Sequence, residues 1–186
     1  MKELNLIRLI LSLHDYHTHL HTKRVQGYSK QLGKLLGLTS LELDVLDLAS
    51  QFHDVGKIGV EKHLLTTSKI FDNDQIDEMK MHTYYSELII NHIDLDYSKQ
   101  ASIIARHHHE RIDGNGYPDK LKADEIPILS RLITVTDMFD AIHSKRNYHT
   151  SKKSKFETLE IMERTVNTKL DEDLFNKFKT VIERRT

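Results

Sequence analysis

The chain has 186 residues, with 27 Lys and Arg against 28 Asp and Glu and a formal net charge of −1. This balance gives no overall field that would attract a nucleic-acid polymer or an anionic membrane surface. No apolar run approaches the roughly 18 residues of a membrane span, and the N-terminus lacks a signal-peptide pattern. The absence of cysteine excludes disulfides, Cys-ligated metals and thiol catalysis. We therefore expect one cytoplasmic domain over residues 1–186, without a membrane partner.

Apolar residues recur at helical spacing along almost the whole chain, and only 2 prolines and 7 glycines interrupt the pattern. This predicts an all-α bundle of about eight helices. The first helix is expected to run from Leu4 to about Gly27, followed by helices over 28–36, 43–55, 73–80, 83–92, 98–108, 127–143, 156–166 and 171–183. Residues 59–72 are expected to be irregular, and residues 111–126 to form a loop.

The 13 histidines are the other unusual feature, because histidine is the commonest metal ligand in proteins. His53-Asp54 ends an apolar helix, where the same pair would also suit an ordinary capped C-terminus. His108-His109 ends another helix, so both imidazoles can lean toward one metal cluster. Asp137 lies inside the apolar helix over 127–143, where a carboxylate is unfavourable unless it is paired or bound to a metal.

Three further histidines extend this set. His82, taken alone, is typical of an ordinary surface residue at a helix junction. His17 and His21 are four residues apart, so they project from the same helix face. A mixed set of imidazoles and carboxylates favours iron, manganese or zinc. The set is too large for one tetrahedral ion, and two ions bridged by a carboxylate suit in-line displacement at phosphorus. A di-iron redox or oxygen-binding helical protein would use similar ligands and stays an alternative.

Taken in chain order, these residues resemble the HD-GYP family, the cyclic di-GMP phosphodiesterase branch of the HD metal-dependent phosphohydrolases. The two signatures of that family are matched by HDVGK at 53–57 and HHERIDGNGYP at 108–118. HTKRV at 21–25 is similar to the family's first motif, and residues 131–148 are similar to its last. The resemblance covers residues 14–150 and implies an HD-type helical bundle.

The resemblance also implies a metal centre of two divalent ions, iron or manganese, bridged by Asp54. By matching positions it assigns His53 and Asp137 to the first ion, His82, His108 and His109 to the second, and His21 either to the first ion or to a third. Some members bind a third ion through a Glu four residues before the first motif's His. That position is His17 here, so a centre of three ions stays an alternative.

Further site residues are implied in the same way. Lys57 would contact the scissile phosphate, and an ammonium there can offset charge that develops on the phosphoryl oxygens. Asp15 and Arg146 match positions that contact the guanine bases or phosphates of the ligand. The family's distinguishing loop, which the resemblance ties to activity and to partner proteins, contains Asp113, Gly114, Gly116, Tyr117 and Pro118.

The activity implied by the resemblance is hydrolysis of cyclic di-GMP to pGpG, and further to GMP where both bonds are cut, with a metal-bridged hydroxide as nucleophile. The spacing of the residues alone supports metal-assisted phosphoester hydrolysis and nothing finer. The alternatives are a phosphodiesterase for another cyclic dinucleotide such as cyclic GMP-AMP, an enzyme for a nucleotide, and a non-catalytic module that binds metal or ligand. The intact loop argues against a generic nucleotidase, and the complete ligand set argues against a non-catalytic module.

Overall fold

The computed structural model describes residues 2–67, 69–144 and 153–184. Within these ranges nine α-helices follow one another: α1 (Lys2–His14), α2 (Tyr16–Leu35), α3 (Ser40–Phe52), α4 (Lys62–Thr66), α5 (Asn73–Asn91), α6 (Ser98–Arg106), α7 (Ile128–His143), α8 (Lys155–Glu163) and α9 (Glu172–Glu183). Two short 3-10 helices, Val55–Gly59 and Ala123–Glu125, lie between them, and the β-type pairing in this part of the chain is one isolated bridge from Val166 to Leu170. The predicted all-α fold class is confirmed. No helix in the described ranges is long and apolar enough to cross a membrane.

The first two helices meet at Asp15, so the prediction of one helix from Leu4 to Gly27 is wrong. Asp15 has an extended backbone with φ −146° and ψ 100°. Its carboxylate accepts hydrogen bonds from the backbone N–H of His17 at 3.0 Å and the hydroxyl of Thr18 at 2.6 Å. The N-cap at Asp15 therefore starts a new helix. Gly27 does not end this helix, because a glycine inside a helix costs only about 1 kcal/mol. α2 therefore runs through Gly27 and carries His21 in its second turn.

α5 is a single helix where the sequence predicted two. It begins with a capping box in which the side chains of Asp72 and Gln75 accept from each other's backbone N–H groups. No glycine or proline interrupts residues 73–91. His82 therefore lies in the middle of a helix, which corrects its predicted position at a junction. The segment 59–72, predicted to be irregular, includes the short helix α4.

The core fixes α2, α3, α7 and α9 relative to one another. Phe139 of α7 and Phe178 of α9 are fully buried, and their rings meet edge-on at 5.2 Å. Tyr28 of α2 contacts both rings, at 5.2 and 5.9 Å between centroids. Phe52, the last residue of α3, belongs to the same buried cluster. The helices that carry the predicted ligands are thus held by one shared core.

Candidate metal centre

His53 and Asp54 follow directly after the last residue of α3, where the helix gives way to the 3-10 turn Val55–Gly59. His53 is fully buried, and Asp54 is 2% exposed. Asp54 has φ −102° and ψ 5°, which turns the chain out of the helix direction. The predicted position of the pair at the end of an apolar helix is confirmed, and the structure adds that both side chains enter the interior.

Gly56 allows the 3-10 turn to approach α5 at backbone distance. A Cβ at this position would lie 2.0 Å from the carbonyl oxygen of His82 and 2.5 Å from the backbone nitrogen of Ser86, so no side chain fits. The N–H of Gly56 donates to the hydroxyl of Ser86 at 2.8 Å. This contact brings Asp54 against α5, with Oδ1 of Asp54 3.4 Å from Nε2 of His82.

Three buried histidines, His53, His82 and His108, are oriented by the same local device. Each Nδ1 donates to the backbone carbonyl three residues earlier, that of Ser50, Met79 and Ala105, at 2.8, 2.5 and 2.6 Å respectively. This fixes the neutral tautomer with the proton on Nδ1 and leaves the lone pair on Nε2. The three Nε2 atoms and Oδ1 of Asp54 are buried, and none has a hydrogen-bond partner in the described structure. Buried polar atoms without a partner are destabilising, so this donor set fits a metal centre.

Asp54 lies between two groups of candidate ligands, and it belongs to both. One group is His21, His53 and Asp54, the other is Asp54, His82, His108 and His109, and within each group one ligand atom per residue lies within 4.8 Å of the others. Oδ2 of Asp54 lies 3.7 and 3.6 Å from Nε2 of His21 and His53. Oδ1 lies 3.4 and 3.9 Å from Nε2 of His82 and His108. Each oxygen faces a different group, which is the geometry a carboxylate needs to bridge two cations.

Asp137 adds a second carboxylate to the first group. Its Oδ1 lies 2.9 Å from Nε2 of His21 and 3.9 Å from Nε2 of His53. On the other side of the His21 ring, Nδ1 donates to Asp140 at 2.7 Å. Burial alone would lower the pKa of His21, but the carboxylates of Asp137 and Asp140 raise it to about 9. The raised pKa means that Nε2 of His21 carries a proton in the metal-free chain. A metal cation would have to displace that proton to bind at Nε2.

The three histidines of the second ligand group are kept neutral by burial. Burial lowers the pKa of His82 to about 4 and that of His109 to about 3. Burial also lowers the pKa of His108, and the neighbouring His109 adds to that shift. Neutral imidazole is the form that binds metals, so these side chains need not lose a proton to coordinate at pH 7.

Lys57 lies beside the centre. Its Nζ donates to Oδ2 of Asp54 at 2.6 Å, and its side chain is 19% exposed. Burial alone would raise the pKa of Asp54, but the ammonium of Lys57 and the surrounding imidazoles hold that pKa well below its usual range. The Asp54 carboxylate is therefore ionised, and its partner, the Lys57 side chain, is more exposed to solvent than Asp54 itself.

The predicted glycine loop folds back onto the histidines. Gly114 has φ +75°, a left-handed conformation that favours glycine. A Cβ at Gly116 would lie 2.5 Å from Cα of Glu110, so the returning chain passes directly over the end of the His-His-Glu segment. The N–H of Tyr117 donates to the carbonyl of His109 at 3.2 Å, and their ring centroids are 4.8 Å apart. Tyr117 therefore lies against a candidate ligand.

The two ends of this loop are fixed by its acidic residues. Asp113 accepts two hydrogen bonds from Arg111, at 3.0 and 2.5 Å, and one from the N–H of Asn115 at 2.9 Å. Glu110 is 1% exposed and accepts from the N–H groups of Asp119 at 2.6 Å and Leu121 at 3.1 Å. The peptide bond between Tyr117 and Pro118 is cis.

A further group of possible ligands, His107, Glu110 and Asp119, lies close together in the described structure. Arg106 donates to both carboxylate oxygens of Asp119 at 2.8 Å. His107 contacts the same carboxylate at 2.8 Å. Because the guanidinium of Arg106 already neutralises Asp119, this group is not a metal site. Its ion pairs instead fix the loop to the end of α6.

Two predicted site residues of the described chain, His17 and Asp15, are not brought into the cluster. His17 is exposed and belongs to neither ligand group of the described chain, so a third ion there stays a prediction. Asp15 caps α2, as described above, and its contact with a substrate stays a prediction as well. Arg146 lies outside the described residues.

Sequence reasoning gave no role to Asp140 and Arg24. The carboxylate of Asp140 is 1% exposed and accepts from Arg24 at 2.7 and 2.9 Å while it holds His21. The available signal was a second aspartate three residues after Asp137 in the same apolar helix. Such a carboxylate also needs a partner when it is buried.

The comparisons with known proteins agree with this geometry. A family model of the HD domain matches residues 5–174, so the chain belongs to the HD domain family. The cyclic di-GMP phosphodiesterase of Thermotoga maritima is 34% identical over 149 residues, which are 80% of this chain and 40% of that protein. The 3′3′-cGAMP-specific phosphodiesterase 2 of Vibrio cholerae is 37% identical over 131 residues, 70% of this chain and 25% of that protein. The chain thus spans well under half the length of these relatives.

A solved structure shows the same fold. The crystal structure of a cyclic GMP-AMP-specific phosphodiesterase from V. cholerae matches with a TM-score of 0.72 at 17% identity, over 96% of this chain and 49% of that one. The resemblance identified from the motifs is confirmed. HD domains are metal-dependent, and the cluster around Asp54 is the candidate metal centre of this one.

Proposed function

We propose that the chain hydrolyses a 3′–5′ phosphodiester bond of cyclic di-GMP. The observation that carries the proposal is Asp54, whose two oxygens face two separate groups of buried imidazoles. Paired cations that share a carboxylate are suited to in-line displacement at phosphorus. The T. maritima relative, named a cyclic di-GMP phosphodiesterase, supports this choice of substrate.

In this proposal the centre holds two ions. One ion would be held by His21, His53 and Asp137, and the other by His82, His108 and His109, with Asp54 as the ligand that both groups share. Mixed nitrogen and oxygen donors suit iron or manganese. When bound, the ions lower the pKa of a water nucleophile and neutralise charge on the phosphate.

The chain's own residues orient and neutralise the substrate. Lys57 lies between Asp54 and solvent, where its ammonium can donate to a non-bridging phosphate oxygen as charge develops there. The ring of Tyr117 lies against that of His109, where it would shield that side of the centre from water. Asp15 and Arg146 would contact the guanine bases and phosphates, with the Asp15 carboxylate accepting from the N1–H and 2-amino group of guanine.

Product analysis tests the proposal. Protein loaded anaerobically with iron or manganese is incubated with cyclic di-GMP, and the nucleotides are resolved over time. We expect pGpG to appear first, followed by GMP where the second bond is also cut. Asp54→Ala should form no product, whereas Asp77→Ala, a change at an exposed helical carboxylate, should keep the activity. Absence of product from wild-type protein that contains two ions per chain would contradict the proposal.

A second candidate substrate is cyclic GMP-AMP. The V. cholerae relative named for it is 37% identical, against 34% for the T. maritima relative. The two cyclic dinucleotides differ at one base and share the scissile linkage, so the metal centre itself does not distinguish them. Initial rates would be measured with equal concentrations of cyclic di-GMP and cyclic GMP-AMP, and of cyclic di-AMP as a control without guanine. These rates would show which of the cyclic dinucleotides the site prefers.

A further inference from the structure

α1 is apolar on two opposite faces. Its inner face packs on the core through Leu4, Ile7 and Leu11. Its outer face exposes large aliphatic side chains: Leu6 is 57% exposed, Leu9 54%, Ile10 42% and Leu13 75%. Large apolar side chains on two opposite faces are typical of a helix that is covered on both sides. The inner face is covered by this chain, and the outer face is open to a partner.

The outer face continues into a groove beside it. α1 and the C-terminal end of α5 with the two residues that follow it line an open groove of about 600 Å³, formed by Leu6, Ile7, Leu88, Ile89 and Ile93, with Glu3 and His92 also at the lining. Leu88 is 45% exposed at this groove. We name the surface formed by Leu6, Leu9, Ile10, Leu13 and Leu88 the α1 face. It combines a ridge of aliphatic side chains with a neighbouring apolar depression.

We propose that the α1 face is a homodimer interface, covered by the same face of a second copy of this chain. Leu6, Leu9 and Leu13 follow one another at spacings of three and four residues, the spacing of the seam between paired helices. A two-fold axis through this seam brings the ridge of each copy against the partner's ridge and groove. An interface of this kind needs one patch that is complementary to itself.

The area of the α1 face agrees with a second copy as the occupant. Its exposed apolar surface is on the order of 500 Å², the size at which patches on monomers are commonly functional. Burial of this surface on both copies removes about 1,000 Å² from solvent, which reaches the lower limit of specific interfaces. The formal net charge of −1 adds little repulsion between two copies.

The charges around the α1 face also favour a protein over a lipid surface. Arg8 is the one charged residue between Leu6 and Leu13. Its guanidinium is turned aside and donates to Asn5 at 2.9 Å and to Gln51 of α3 at 2.7 Å. The centre of the face is therefore depleted of charge, as interface cores are. A helix that binds a membrane surface would instead carry Lys and Arg along its polar side.

Sedimentation velocity of the whole chain tests the proposal, from about 1 to 100 µM, the range of typical weak to moderate dimers. We expect a species of twice the 21.8 kDa chain mass at the upper concentrations. The double variant Leu9→Lys/Leu13→Lys should sediment as a monomer. Leu41→Lys, a change at a leucine of α3 that is 53% exposed, should still dimerise. Circular dichroism checks that each variant is folded.

A wild-type chain that is monomeric throughout this range would overturn the proposal, and so would a folded double variant that remains dimeric. Because the chain has no cysteine, a cross-link gives a second measurement without a charge in the interface. Leu9→Cys should form a disulfide-linked dimer under mild oxidation, whereas Leu41→Cys should not. Equal cross-linking of the two variants would also overturn the proposal.

Discussion

His21 and Asp140 are 119 positions apart in the chain, and Nδ1 of His21 donates to Oδ2 of Asp140 at 2.7 Å. Arg24, one helical turn after His21 on α2, donates to the same carboxylate at 2.7 and 2.9 Å. Burial alone would raise the pKa of Asp140, but these two partners lower it to about 2. The ionised carboxylate therefore keeps the proton of His21 on Nδ1 and directs Nε2 toward Asp137 and the first ligand group.

Asp140→Asn should weaken the ion held by the first ligand group by about 10- to 100-fold, the usual cost of a lost partner behind a metal-binding histidine. The amide keeps the shape of the side chain but removes the charge that polarises His21. Calorimetric titration of metal-free protein with Mn²⁺ measures this affinity. Asp77→Asn is the matched control, because Asp77 is an exposed carboxylate that belongs to none of the ligand groups of the described structure. Unchanged Mn²⁺ affinity in Asp140→Asn would contradict the role given to this pair.

Lys57→Ala should keep both ions but hydrolyse cyclic di-GMP about 100-fold more slowly, a magnitude typical for a lost group that stabilises charge in the transition state. Bound cations would replace the charge that Lys57 supplies to Asp54 in the metal-free chain. Metal content and initial rate, measured on the same sample, separate these effects. Lys80→Ala, at a lysine of α5 whose side chain is 39% exposed, should change neither. Loss of metal from folded Lys57→Ala would mean that Lys57 instead stabilises the bridging carboxylate.

The parts of the centre that the sequence predicted are those set by neighbouring residues. His53-Asp54 and His108-His109 each follow a helix end, so their delivery into the interior depends on a few consecutive residues. The carbonyl three residues before each of His53, His82 and His108 fixes its ring. The helix ends are local patterns that a single sequence displays, whereas the sequence alone indicated an ordinary surface residue at His82, and the carbonyl contacts were seen only in the structure.

The parts that were not predicted depend on packing between distant segments. Asp140 acquires its role from residues more than a hundred positions away, which no spacing along the chain reveals. The boundary at Asp15 was missed because the apolar spacing continues across it. An aspartate is also common in loops and binding sites, so Asp15 alone does not indicate an N-cap. α5 was divided because its apolar pattern is weak, although no residue in it breaks a helix.

Gly56→Ala should destabilise the fold by about 2 kcal/mol, in the range of overpacking in a close-packed interior. The added methyl group would meet the backbone of His82 and Ser86 and separate Asp54 from α5. Gly27→Ala is the matched control, because a Cβ there meets no heavy atom within 4 Å. In the middle of α2 this change should stabilise by about 0.5–1 kcal/mol. Urea unfolding of the metal-free proteins gives both values, and equal effects would contradict the close approach at Gly56.

Acidification should destabilise the metal-free protein as the pH falls from 6.5 toward 4. Burial lowers the pKa of His82 from its ordinary 6.5 to about 4. Between these values the unfolded chain takes up a proton that the folded chain refuses, so each step downward favours unfolding. His82 alone accounts for a loss of about 3 kcal/mol. His21 acts in the opposite sense: its pKa of about 9 contributes stability below pH 6.5 that is lost as the pH rises through 9.

The free energy of unfolding of chelator-treated protein, measured by urea at pH values from about 4.5 to 7.5, checks this dependence. His82→Gln removes one buried group that resists protonation, so its stability should decline less steeply between pH 6.5 and 4.5 than that of wild type. His63→Gln, a change at a histidine whose side chain is 59% exposed, should follow the wild-type slope. A wild-type slope in His82→Gln would show that this imidazole is protonated in the folded chain, and the second ligand group would then not be neutral before it binds metal.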